Sequence, residues 1–207
     1  MAARTRSTDN RAAPTRERIL RAAERLFAED GFDRVTLRQI ARASEQRNVA
    51  AVQYHFGSKD GLLAAIVGHH RAELDEERRD LLAASDSKER DADLTELLSF
   101  LVEPLCQKLD NSSGRAYLRI QAEGLHNESM RPATRALLSR IGRIMRDLDG
   151  PKATPYLRRF AILLLFHALA DRARQEEVGR ASRSDRTSFV DALSQALIGL
   201  LRQSRPT

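Results

Sequence analysis

Tryptophan is absent from this chain of 207 residues, cysteine occurs once, and glycine and proline occur ten and six times. A lone cysteine, Cys106, excludes an intrachain disulfide and a cysteine-based zinc site. Sparse glycine and proline, with no stretch of strict apolar/polar alternation, make an all-α fold the expectation. Long hydrophobic runs are also missing. The longest apolar stretch, Phe160 to Ala170, is interrupted by His167 and falls well short of the roughly 20 residues that span a bilayer. No apolar segment near the N-terminus has the form of a signal peptide, so a cytoplasmic protein with no membrane partner is expected. A glycine-rich phosphate loop, an HExxH pair and a Ser/His/Asp order are absent as well, so neither an enzyme nor a cofactor is expected. His69 and His70 with Glu73 have a spacing that a metal could use. A solvated helix face accounts for them more simply, and no metal site is assigned.

Basic residues dominate what is present: 35 Lys and Arg against 29 Asp and Glu, a net charge of +6. Residues 1–60 hold 12 of the basic and 8 of the acidic residues. An excess gathered in the first third fits a polyanionic partner. Arginine outnumbers lysine 31 to 4, a bias that reads as codon usage rather than chemistry. The length suits one or two domains, and a hydrophobic content of 42% is enough for a packed core.

Ile19, Ala22, Ala23, Leu26 and Phe27 form one face of a first helix, with Thr15 as its expected N-cap and Gly31 as its left-handed exit. A second helix is expected to start at Thr36, with Gln39 placed to complete a capping box and Leu37, Ile40, Ala41 and Ala43 inward. After the polar turn Ser44 to Arg47, Asn48 is expected to cap a third helix, Val49 to His55, of about two turns. Its inward set, Val49, Val52 and Phe56, is sparse. Such a short helix is held by packing rather than propensity, and it leaves one face free. Two short helices joined by a tight turn match a helix-turn-helix, whose second helix enters the major groove. Asn48 and Gln53 can pair with adenine edges, and the methyls of Val49 and Ala50 suit a thymine methyl. An ordinary three-helix bundle with a polar outer face fits the same pattern.

The strings RERILRAAERLFAEDGF and VQYHFGSKDGLL, with the capped second helix between them, carry a resemblance. The segment from Arg16 to Leu63 is similar to the DNA-binding domain of TetR-family transcriptional regulators. In place of that family's Ala-Gly-Val turn stands Ser44-Glu45-Gln46-Arg47, longer by one residue and without the glycine. The resemblance implies that Asn48, Val49, Ala50 and Gln53 read bases. It also implies that Thr36, Tyr54, His55 and Lys59 grip phosphates, and Arg47 is added to that set. Phosphate contacts fix register, whereas base contacts give specificity. Three parts are expected: a disordered basic arm, 1–14, able to reach a minor groove; a helix-turn-helix domain, 15–60; and a larger helical domain, 61–207, reached through a long helix capped by Ser58.

In the larger part, helices are expected from Leu94 to Leu109, with Pro104 kinking or limiting it, and from Arg115 to His126 after a turn at Asn111 to Gly114. Two more are expected over Arg131 to Asp147 and from Thr154 onward, and the last over about Ser184 to Gln203. The helix after Thr154 is apolar on all sides through Phe160 to Phe166 and must be covered all round. Together with the last helix it offers Phe160, Leu164, Phe189, Leu193, Ala196, Leu197 and Leu200 as a homodimer interface; a partner within the monomer would serve the same need. The resemblance implies the dimer, a near-palindromic double-stranded operator and a small-molecule effector in the C-terminal domain. Candidate lining residues are Phe100, Cys106, Tyr117, Gln121, His126, Met145, Phe166 and His167, which suit an apolar or amphipathic compound. The function expected is a ligand-responsive transcriptional regulator acting as a repressor. An architectural or activator DNA-binding protein with no effector is the alternative.

Overall fold

A computed structural model describes residues 6–88, 90–124, 130–149 and 155–202. Every regular element among them is helical, and the chain divides into two compact units, Met1–His70 and Arg71–Thr207. That division falls inside a helix rather than at the expected boundary after residue 60.

The first unit holds α1 (Arg6–Asp30), α2 (Leu37–Ala43), α3 (Ala50–Phe56) and the first part of α4 (Lys59–Asp86). The apolar stripe of α1 faces inward as expected: Ile19, Ala22, Ala23 and Phe27 are buried and Leu26 is half-buried. Ile40 and Ala41 of α2, Val52 of α3 and Leu62, Leu63, Ile66 and Val67 of α4 are buried in the same unit. Phe27 and Phe32 pack with ring centroids 5.3 Å apart. Gly31 ends α1 at φ +85°, its amide bonded to the Phe27 carbonyl at 3.1 Å.

α1 starts earlier than expected. Residues 6–14, assigned to a disordered arm, form its first turns, with Pro14 inside the helix and Thr15 no longer a cap. Arg11, Ala12 and Ala13 are strong helix formers and favour continuation, against the lost amide donor and the crowded carbonyl four residues back that Pro14 brings. Residues 1–5 lie outside the described residues. Ala43, expected inward, is exposed. A buried polar pair joins α1 to α4: His70 Nε2 lies 2.7 Å from Glu24 Oε1.

The second unit is built on the remainder of α4 with α5 (Leu94–Gln107), α6 (Ser112–Glu123), α7 (Pro132–Asp149), α8 (Pro155–Glu177) and α9 (Arg186–Arg202). Asp93 caps α5, accepting from the Glu96 amide at 2.8 Å. The helix continues through a buried Pro104 to Gln107. Asn111 caps α6 through the Gly114 amide at 2.8 Å, so residues 112–114 open a helix where a turn was expected. The side-chain oxygen offers the first helical amides the partner that a turn would have given. Leu82, Leu94, Leu97, Leu98, Leu137, Ile141, Ile198 and Leu201 form one buried cluster. α6 lies along α8, and α9 packs on α5, α8 and α7.

Two polar clusters fix these helices. Asp75 on α4 accepts from the Thr134 amide at 2.8 Å, the Thr134 hydroxyl at 3.0 Å and the Ala133 amide at 3.3 Å, and so caps α7 from another helix. The half-buried Glu176 takes Arg172 at 2.9 Å and Arg186, tying the end of α8 to the start of α9. Arg186 also reaches the Leu109 carbonyl at 3.0 Å and Asp110. No helix among the described residues is long and apolar enough to cross a membrane.

Candidate functional site

α2 is set by the capping box expected from Thr36 and Gln39. The Thr36 hydroxyl oxygen accepts from the Gln39 amide at 3.3 Å, and the Gln39 side-chain oxygen accepts from the Thr36 amide at 2.8 Å. The Thr36 hydroxyl proton is directed at the same Gln39 oxygen, 2.7 Å away, so a phosphate gripped there would have to displace it. Behind α2 the chain turns without glycine. Glu45 takes the left-handed conformation at φ +59°, its amide 3.2 Å from the Arg42 carbonyl, while the Gln46 amide reaches the Ala41 carbonyl at 2.8 Å. The departure from the Ala-Gly-Val turn is thus met by one strained glutamate. The buried Ser44 holds the helix end, its hydroxyl donating to the Ile40 carbonyl at 2.8 Å.

α3 begins one residue later than expected. Val49, not Asn48, stands at the cap position, with helical dihedrals and no side-chain cap bond. Asn48 therefore sits ahead of the helix, exposed. Within α3, Val52 alone is fully buried, and Phe56 and His55 are half-buried. Ala50, Gln53 and Tyr54 are exposed, Tyr54 at 84%. Val49 is half-buried and so shares its methyls between the core and the surface. The His55 ring packs edge-on to Tyr54, centroids 5.2 Å apart. The side chains of Asn48, Gln53 and Arg47 have no internal partner among the described residues, and the exposed heads of Arg38 and Arg42 on α2 are equally free. Those two arginines were missed in the sequence. The signal was there, since both lie two residues from the inward Ile40 and so across the helix from it on a 3.6-residue period.

Lys59 is placed differently from the expectation. Its ammonium donates to the carbonyls of Phe32 at 2.9 Å and Val35 at 3.1 Å, approaches that of Asp33 at 3.4 Å, and lies 4.3 Å from the Phe32 ring centroid. With three donors committed to one loop, it braces that loop against the start of α4 and has none left for a phosphate.

The start of α4 approaches α3 closely. The Ser58 hydroxyl oxygen caps it by accepting from the Gly61 amide at 3.0 Å. Gly57 closes α3 at φ +73°, a conformation that favours glycine. A Cβ on Gly61 would lie 2.2 Å from the Phe56 carbonyl oxygen, a distance no side chain tolerates.

In the second unit, the residues expected around a ligand separate. Phe100, Cys106, Tyr117, Gln121 and Met145 are buried, and Phe100 and Met145 belong to the main core cluster. Phe166 is half-buried, and His126 lies outside the described residues. Burial pushes the Cys106 thiol up to about 12, so it stays protonated at neutral pH. A cleft of about 660 Å³ instead lies between α6 and α8. Arg119, Arg159, Arg174 and His167 line it, with Glu123 and the apolar Ala122 and Leu163. His167 alone of the expected residues is among them. Most of the expected residues pack in the core; the cleft takes exposed and half-buried sides of α6 and α8. Of the residues spaced as a metal could use but given no metal, His70 faces Glu24, and Glu73 accepts from Lys108 at 2.5 Å.

The expected subunit interface divides too. Phe160 and Leu164 of α8 are 51% and 37% exposed, and Ala196 of α9 is exposed, with Phe189 and Leu200 half-buried. Leu193 and Leu197 point into their own unit at 5% and 2% exposure. They belong to the core rather than to an interface, because α9 carries an apolar stripe on one face and a small-residue stripe, Ala192, Ala196 and Gly199, on the other.

Residues 19–66 match the family described as bacterial regulatory proteins, tetR family. Over 93% of its length the chain is similar to the HTH-type transcriptional regulator UidR of Escherichia coli (strain K12), with 26% identity and 96% of that protein covered. In shape it is similar to a chain from Shewanella sp. PV-4 assigned to the tetR family of transcription regulators. The TM-score is 0.54 at 18% identity, covering 88% of this chain and 97% of that one. It is also similar to a gamma-butyrolactone receptor described as ArpA-like, with a TM-score of 0.51 at 21% identity over 90% and 99% of the two chains. These two likenesses speak for the fold: an N-terminal helix-turn-helix followed by a helical domain.

Proposed function

The chain belongs to the TetR family of DNA-binding transcriptional regulators, and on that premise we propose that it is a cytoplasmic homodimeric repressor of a near-palindromic operator, released by a small-molecule effector. Asn48, Ala50 and Gln53 read base edges, assisted by the outer part of Val49. Arg47, Tyr54 and His55 hold phosphates together with Arg38 and Arg42, and Thr36 joins them where its hydroxyl is redirected. The observation that carries this reading is the state of α3: one buried anchor, Val52, beneath an outer face whose amide and hydroxyl heads are exposed and free of internal partners. A helix of 7 residues with one anchor is stabilised by what lies beneath it and offers the rest of its surface to a partner.

The dimer reading rests on the exposed Phe160 and Leu164 of α8 and on the exposed small residues Ala192, Ala196 and Gly199 of α9, which let a second copy approach closely. Two copies present two reading helices, which suits half-sites about 34 to 36 Å apart.

The test is a pair of affinities, measured for a duplex that the wild-type chain selects from a random pool and for an unselected duplex. Gln53→Ala is expected to lose about 1–3 kcal/mol on the selected duplex and little on the other. An equal loss on both would reassign Gln53 to backbone contact and remove the reading helix from the proposal.

A further inference from the structure

We infer that the cleft between α6 and α8 is a binding site for an organic anion, a carboxylate or phosphate monoester on a partly apolar body. Its size, about 660 Å³, is that of small-molecule sites in general.

The charge state of its walls names the class. Several arginines of this unit are matched to acids: Arg140 to Asp86 through two bonds at 2.5 and 2.7 Å, Arg172 and Arg186 to Glu176, and Arg115 to Glu177 at 3.2 Å. Arg159 and Arg174 are set apart by sharing one cleft wall. Both line the cleft, both are exposed, and neither has an acidic partner among the described residues, although Glu123 lines the same cleft. Arg119, the third arginine, is largely buried. It gives one bond to Glu177 at 2.7 Å, and its buried Nε has no hydrogen-bond partner. Glu177 is already shared with Arg115, so the wall retains positive charge after Glu123 and Glu177 are counted. His167 adds a ring nitrogen beside them.

Guanidinium forks match the planar geometry of a carboxylate and the oxygens of a phosphate. Leu163 and Ala122 supply an apolar wall, and Glu123 can accept from a hydroxyl or amine on the same ligand. A purely apolar effector, one of the two kinds expected, would leave these heads unpaired; an amphipathic one, the other, can meet them. The site stands on these residues alone. Its role as the effector site rests on the reading of the chain as an effector-responsive repressor.

Titration calorimetry on the full chain tests the site with benzoate and phenyl phosphate, against neutral benzamide and inorganic phosphate. One benzoate or phenyl phosphate per chain is expected to bind, and benzamide is expected not to. The double variant Arg159→Gln/Arg174→Gln is expected to weaken binding at least about tenfold, while Arg143→Gln, outside the cleft, leaves it unchanged. Benzamide binding as well as benzoate, no binding by either anion, or full affinity in the double variant Arg159→Gln/Arg174→Gln would overturn the site. Inorganic phosphate binding as tightly as phenyl phosphate would overturn its organic part.

A second measurement follows the selected duplex by fluorescence anisotropy. Release by the bound anion in the wild type, and not in the double variant, is expected. An anion held in the cleft with the duplex still bound would leave the site standing and remove the effector role; failure of the wild type to hold any duplex would remove the DNA reading instead.

Discussion

Glu45 bears the local cost of a turn built without glycine. A side chain at φ +59° is strained, and nothing in the turn but geometry requires it there, since the ion pair with Arg18 at 3.8 Å is exposed. Glu45→Gly is expected to hold or raise the urea midpoint, and Glu45→Val to lower stability by about 1–2 kcal/mol. The opposite order would show that the side chain rather than the dihedral angle sets the turn. Lys59 makes the second prediction at this scale. Lys59→Met is expected to lower stability by about 1.5–3 kcal/mol, the range for a hydrogen-bonded charge, and to leave the salt dependence of DNA binding unchanged. A slope shallower by about one unit would return Lys59 to the phosphate contacts.

Helices show where the sequence was legible. The capping box at Thr36 and Gln39, the stripe of α1, the exit at Gly31 and the cap at Ser58 all depend on residues within a turn of one another, and spacing alone revealed them. The register of α3 did not follow from spacing, because Asn48 and Val49 are both placed to precede a helix and only the turn at Glu45 decides between them. The inward face of α9 was hidden for another reason: two stripes, one large and one small, are both apolar, and the pattern does not say which meets the core. The cap on α7 was out of reach altogether, since Asp75 comes from a distant part of the chain. Burial pushes the Asp75 carboxyl upward, but bonds from the Thr134 amide and hydroxyl and the Ala133 amide, with Arg131 nearby, outweigh it and hold the group below its ordinary range. A carboxylate depressed in the folded state stabilises fully above its unfolded value, and the contribution fades as pH falls through the folded one. Asp75→Asn is therefore expected to cost about 1 kcal/mol at neutral pH and to flatten the acid limb of the stability curve, as read by thermal unfolding across pH. An unchanged acid limb would mean that Asp75 adds nothing to the pH dependence.

For the whole molecule, the two apolar helix faces separate association from folding. Phe160→Glu with Leu164→Glu is expected to yield a folded monomer by light scattering and circular dichroism. Leu197→Asp is expected to unfold the second unit instead, because it forces an unpaired charge into a side-chain position 2% exposed. A folded dimer in the first case would place the subunit contact elsewhere. Gly61 bears on how such a regulator can be adjusted. With no space even for a methyl between it and the Phe56 carbonyl, α3 and the opening turn of α4 meet like a drill bit brazed to its shank, with no swivel between them. Aim is then a property of the shank: whatever rolls the opening turn of α4 by a few degrees re-points Gln53 by the same angle, and the cutting face itself needs no moving part.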